Sequence, residues 1–112
     1  MARILVLEPH PEVRELLQRV VVRLGHEPVG EADPDALAVD LVLVEPQGWG
    51  ATDRAARARL ASGAAVLCIS VAPPTEASRA LEPVAHMVKP FALGELEEAV
   101  LDALASRKPL AV

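Results

Sequence analysis

The chain predicts an α/β fold: one five-stranded parallel sheet with helices on both of its faces. Two observations lead there. Short runs that are apolar along their whole length, such as RILVL, DLVLV and AAVLCISV, recur from end to end, and helix-like segments alternate with them. A strand without polar alternation buries both of its sides, which a parallel sheet covered by helices provides. Right-handed crossovers then bring every strand's C-terminal end to one edge, where ligands of such sheets bind.

The first run, residues 3–7, stops at Glu8, Pro9, His10 and Pro11, and its length and breakers make it a strand. Val13, Leu16, Leu17, Val20 and Leu24 follow at three- and four-residue spacing, the apolar stripe of a helix. Pro11 suits its first turn, Glu12 and Glu15 complement its N-terminal dipole, and Gly25 suits its end. Residues 27–30 make a short strand, and 33–38 leave room for at most one or two helical turns. Residues 40–44 form the next strand, ending at Glu45 and Pro46. A loop with Gly48, Trp49 and Gly50 leads to an Ala- and Arg-rich helix running to Ser62, capped by Thr52 or Asp53. Residues 64–71 are a strand broken by Pro73 and Pro74. A short helix over 75–81, with Thr75 as cap, precedes a fifth strand over 84–88. After Lys89, Pro90 and Phe91, an amphipathic helix carries Leu93, Leu96, Val100 and Leu104. Glu8, Glu45, Ser70 and Lys89 thus stand at or just after four strand ends.

Composition narrows the function classes. The 112 residues suit a single domain, 1–112. The net charge of -5 without a basic cluster argues against nucleic acid. No apolar run reaches the roughly 18 residues a membrane span needs, and Glu8, Pro9 and His10 interrupt the one early run that could resemble a signal peptide. A single cysteine, Cys68, forms no internal disulfide, which points to a reducing, cytoplasmic setting. Nine Arg against two Lys and no Asn fit heat adaptation or a GC-rich genome equally.

Over essentially its whole length the sequence resembles the receiver domain of two-component response regulators, the CheY-like family. RILVLEPHPEVRELLQRVVVRLGHEPV is similar to that family's opening strand, acidic turn and first helix. DLVLVEP resembles the strand that ends in the phosphoacceptor aspartate, VLCISV the strand that ends in Thr or Ser, and VKPF the Lys-Pro-Phe after the fifth strand. The resemblance implies a (βα)5 flavodoxin-like three-layer sandwich with its second to fourth helices shortened. It also implies a cis bond before Pro90. By position, Glu45 stands at the phosphoacceptor. Ser70 and Lys89 stand where the family senses and binds the phosphoryl group, and His86 replaces its switch aromatic.

The departures carry the functional reading. Glu8, Pro9 and His10 occupy the acidic turn, and proline offers no metal ligand. Glu45 is one methylene longer than aspartate, and in-line phosphoryl transfer loses rate steeply for displacements of about 1 Å. The expectation is a phosphorylation-independent pseudo-receiver, not an enzyme and without cofactor. It binds a protein partner or a second copy through residues 75–107, the region such domains use. The tail SRKPLAV adds no output domain, so the chain acts alone or is an excised fragment. Lys89 is expected to pair with Glu45 from a neighbouring strand, in place of a phosphoryl group.

Plainer roles accompany these. Glu8 and Glu45 read as solvated acids rather than a catalytic pair, His10 as a turn histidine, His86 as a surface residue and Cys68 as a buried strand residue. Trp49 is either a binding anchor or a cover over the shortened third helix. Two other functions use the same edge: a competent receiver phosphorylated at Glu45 or another residue, and a flavodoxin-like binder holding a transition metal with Glu8, His10 and Glu45.

Overall fold

A computed structural model describes residues 1–106. Its elements run β1 (Arg3–Leu7), α1 (Pro11–Arg23), β2 (Glu27–Val29), β3 (Leu41–Val44), α2 (Ala51–Ser62), β4 (Ala65–Ser70), α3 (Glu76–Arg79), β5 (Ala85–Val88) and α4 (Leu93–Ala105). The sheet order is β2-β1-β3-β4-β5, and every adjacent pair is parallel.

Each strand sends alternate residues to opposite faces, so the all-apolar runs feed two separate cores. Ile4, Val6, Leu41, Leu43, Leu67 and Ile69 pack with Leu17, Val20 and Val21 of α1 and with Leu96, Val100 and Ala103 of α4. On the other face Leu5, Leu7, Val42, Val44, Val66 and Cys68 meet Ala51, Ala55 and Ala58 of α2, and Leu81 beyond α3. The apolar contacts of α2 in this core are alanines, and its buried Ser62 donates to the Val39 carbonyl at 2.8 Å. The edge strand β5 differs from the expectation that every strand is covered on both sides: Ala85 and Val88 are exposed. It has a sheet neighbour on one side only.

The ends of α1 follow the sequence. Pro11 takes its first position, and Gly25 adopts φ +86° just beyond Leu24. The N–H groups of Gly25 and His26 donate to the carbonyls of Val22 and Val21, the paired bonds that close a helix on a left-handed glycine. The start of α2 corrects the expected cap. Neither Thr52 nor Asp53 caps it; Gly50, with φ +67°, precedes Ala51, and no side chain caps the helix. Starting earlier puts Ala51 into the core, where it is buried.

Residues 33–38 form successive turns and no helix. Asp33, Ala36 and Ala38 donate their N–H groups to Gly30, Asp33 and Asp35, and the Asp33 carboxylate accepts from the Asp35 N–H at 2.8 Å. That local side-chain bond competes with helix formation, and Pro34 contributes no N–H. Of the three connections expected to be short, α3 keeps 4 residues and α2 is the longest at 12. Thr75 caps α3 as expected, in a reciprocal box with Ser78.

Candidate functional site

The strand register sets the site. Leu7 lies beside Val44, Val44 beside Cys68, and Ser70 beside Val88. Backbone bonds continue past the strand ends, with Glu45 N–H on the Leu7 carbonyl at 2.9 Å and Lys89 N–H on the Ser70 carbonyl at 2.8 Å. Glu8, Glu45, Ser70 and Lys89 therefore converge on the C-terminal edge of the sheet.

Both acids are buried there, Glu8 at 5% and Glu45 at 6% exposure. The Lys89 ammonium donates to Glu8 Oε1 at 2.6 Å and lies 3.4 Å from Glu45 Oε2. Glu45 Oε1 accepts from the Ser70 hydroxyl at 2.8 Å and from the Gln47 N–H at 3.0 Å. One ammonium thus neutralises two carboxylates in part, and the hydroxyl and a backbone amide complete the shell of Glu45. Glu8 Oε2 is buried and meets no donor among the described residues. The expected pair of Lys89 with Glu45 is present, but the shorter bond goes to Glu8. The expectation that their strands are neighbours is corrected: β4 lies between β3 and β5, and the long lysine stem reaches across it.

The remaining candidates divide. The Lys89–Pro90 bond is cis. Pro9 is exposed and lines a shallow pocket of about 300 Å³ with Arg14, Trp49 and Arg54. His10 is exposed at the start of α1 and makes no side-chain cap. It does not join Glu8 and Glu45: among the described residues no three His, Cys, Asp or Glu side chains converge as a metal would require. His86 is not the free surface residue expected. It is half-buried, and its Nε2–H donates to the Ala72 carbonyl at 2.8 Å, tying β5 to the loop after β4. Trp49 is 94% exposed and covers no helix. Cys68 is buried in β4. Burial, and secondarily the negative charge of Glu45, push its thiol up to about 11, so it stays protonated and is a poor nucleophile at neutral pH.

Besides the bonds of Lys89 to Glu8 and of Ser70 to Glu45, three contacts had no counterpart in the sequence reading: the Gln47 N–H on Glu45, the Arg14 guanidinium on the Glu8 carbonyl at 3.2 Å, and the Ala72 carbonyl under His86. Two of the three use a backbone acceptor and one a backbone donor, which residue types do not announce.

No family model matches the sequence, and no curated protein matches it. Solved structures do. The signal receiver domain of a modulated diguanylate cyclase from Desulfovibrio desulfuricans G20 aligns with a TM-score of 0.79 at 19% identity over 96% of both chains. A CheY-like response regulator receiver domain protein from Methanospirillum hungatei JF-1 gives 0.78 at 17% identity, also over 96% of each. A response regulator from Thermotoga maritima gives 0.74 at 18% identity over 95% of this chain and 99% of that one. Identities this low establish architecture: the chain has the fold of CheY-like receiver domains, five parallel strands with alternating helices.

Proposed function

We propose that the chain is a phosphorylation-independent receiver-type module of signal transduction, which acts by docking another protein and catalyses no step of its own. One observation carries this reading. The two groups that, by the resemblance, would meet a phosphoryl group, the Lys89 ammonium and the Ser70 hydroxyl, are engaged by the chain's own carboxylates Glu8 and Glu45. Phosphoryl transfer needs a metal to neutralise phosphate oxygens and an in-line acceptor, and Pro9 supplies no ligand. The docking face of this reading is the region 75–107, of which residue 107 lies outside the described residues. It presents exposed Val84, Val88, Leu93 and Leu101. The net charge of -5 fits a protein partner rather than nucleic acid, and among the described residues no helix is long and apolar enough to cross a membrane. A cytoplasmic setting fits the unpaired Cys68.

The test is incubation with Mg²⁺ and acetyl phosphate, followed by intact mass, and in parallel with beryllofluoride, followed by amide NMR. The expected result is an unmodified mass and unshifted spectra. A stoichiometric single-phosphoryl adduct, lost in Glu45→Gln, overturns the reading.

A further inference from the structure

Helix α4 carries acids on a face that its packing leaves open. Leu96, Val100 and Ala103 are the residues it buries against the sheet. Glu95, Glu98 and Asp102 recur at three- and four-residue spacing, which sets them on one side of the helix. They rim an open groove of about 620 Å³ between α4 and the edge strand β5, whose floor includes Ala85, Met87 and Ala99. Glu97, on another side of the helix, has a cationic neighbour in Arg23 at 4.0 Å; the three rim carboxylates have none among the described residues. The last turn of α4 contains no basic residue.

We propose that this groove docks a cationic amphipathic helix of a partner protein. Its Lys or Arg side chains, at matching spacing, meet the acid rim, and its apolar stripe lies on Ala85, Met87 and Ala99. The proposal rests on the reading of the chain as a docking module and names the chemistry of the partner. Charge selects the occupant. A second copy seated symmetrically would present the same patch, three carboxylates facing three, whereas a cationic helix neutralises them.

The probe is a synthetic Leu/Lys peptide with amphipathic helical spacing, labelled for fluorescence anisotropy against the full chain. A scrambled peptide of the same composition and a Leu/Glu version serve as controls. Expected is saturable binding that weakens with added salt and is about tenfold weaker for the scrambled peptide. The Leu/Glu peptide should not bind. The triple variant Glu95→Gln, Glu98→Gln, Asp102→Asn should lose at least about tenfold in affinity. Neutralising three exposed acids elsewhere, Glu12→Gln, Asp35→Asn and Asp53→Asn, should cost less than about threefold. Equal losses in both triple variants reduce the binding to general charge and overturn the proposal, as does no binding. Binding seen only in Arg107→Gln/Lys108→Gln assigns the groove to the chain's own last residues, and self-association abolished by the rim triple assigns it to a second copy; either overturns it. Amide-exchange protection confined to β5 and α4 supports it. A phosphoryl adduct with unchanged peptide binding refutes phosphorylation independence and leaves the groove standing. No adduct and no peptide binding does the reverse.

Discussion

The C-terminal edge of the sheet and the groove between β5 and α4 both collect carboxylates, and the molecule treats them in opposite ways. At the edge, Glu8 and Glu45 are buried and share Lys89, with Ser70 and Gln47 completing the shell of Glu45. In the groove, Glu95, Glu98 and Asp102 are exposed along a helix whose last turn has no basic residue. Burial decides what each charge costs. A buried carboxylate stripped of its partner retains its desolvation penalty, while an exposed one is solvated whether or not a cation arrives. The edge is therefore closed by the chain itself, while the carboxylates of the groove are left to solvent.

Removing the shared cation should break this comparison most strongly. Lys89→Ala leaves two buried carboxylates without a countercharge and should cost about 3–5 kcal/mol in urea melts followed by circular dichroism. That is a large share of the roughly 5–15 kcal/mol that holds a domain together. A loss under about 1 kcal/mol would mean that the lysine is effectively solvated. Ser70→Ala removes a hydroxyl donor to a charged acceptor 2.8 Å away, with an expected loss of about 1.5–3 kcal/mol. Combined with Glu45→Gln it should cost less than the two single losses added; strict additivity would dissolve the network into independent contacts.

Glu8→Gln should be milder, about 1 kcal/mol or less. It weakens the bond to Lys89 but leaves one buried carboxylate for one ammonium. Glu45→Gln then reports which acid the lysine depends on, since the 2.6 Å contact to Glu8 and the 3.4 Å contact to Glu45 are unequal. The smallest effect belongs to the groove. Glu95→Gln, Glu98→Gln and Asp102→Asn together should change stability by no more than about 0.5 kcal/mol, toward gain if anything, because like charges at helical spacing repel. A loss above about 1 kcal/mol there would show that the rim serves the fold.

What the sequence disclosed follows the same division. The central strands were legible because total burial demands uninterrupted apolar runs, and the convergence of Glu8, Glu45, Ser70 and Lys89 followed from parallel topology alone. The bond between Lys89 and Glu8 was not legible: it joins β1 to β5 across two intervening strands, and only the reach of a four-carbon stem makes it possible. Elsewhere a short-range competitor won. An aspartate bonded to the backbone two residues on turned 33–38 into successive turns, and burial of Ala51 moved the start of α2 ahead of the better-capping Thr52 and Asp53. His86 was hidden for another reason, since its partner is the Ala72 carbonyl, an acceptor every residue carries.

Trp49 has an optical consequence. It is the sole tryptophan in a chain without tyrosine, and its indole stands almost wholly in water. The native protein should emit like free indole in solution, so intrinsic fluorescence will stay nearly flat while the secondary structure melts. The backbone beneath it is held all the same: the Trp49 carbonyl accepts from Arg54 at 2.8 Å, and Arg54 pairs with Glu31 at 3.1 Å. The ring is a lamp on a fixed post, in the loop that follows Glu45. It is nearly blind to global unfolding and well placed to shift colour when another molecule settles on that loop.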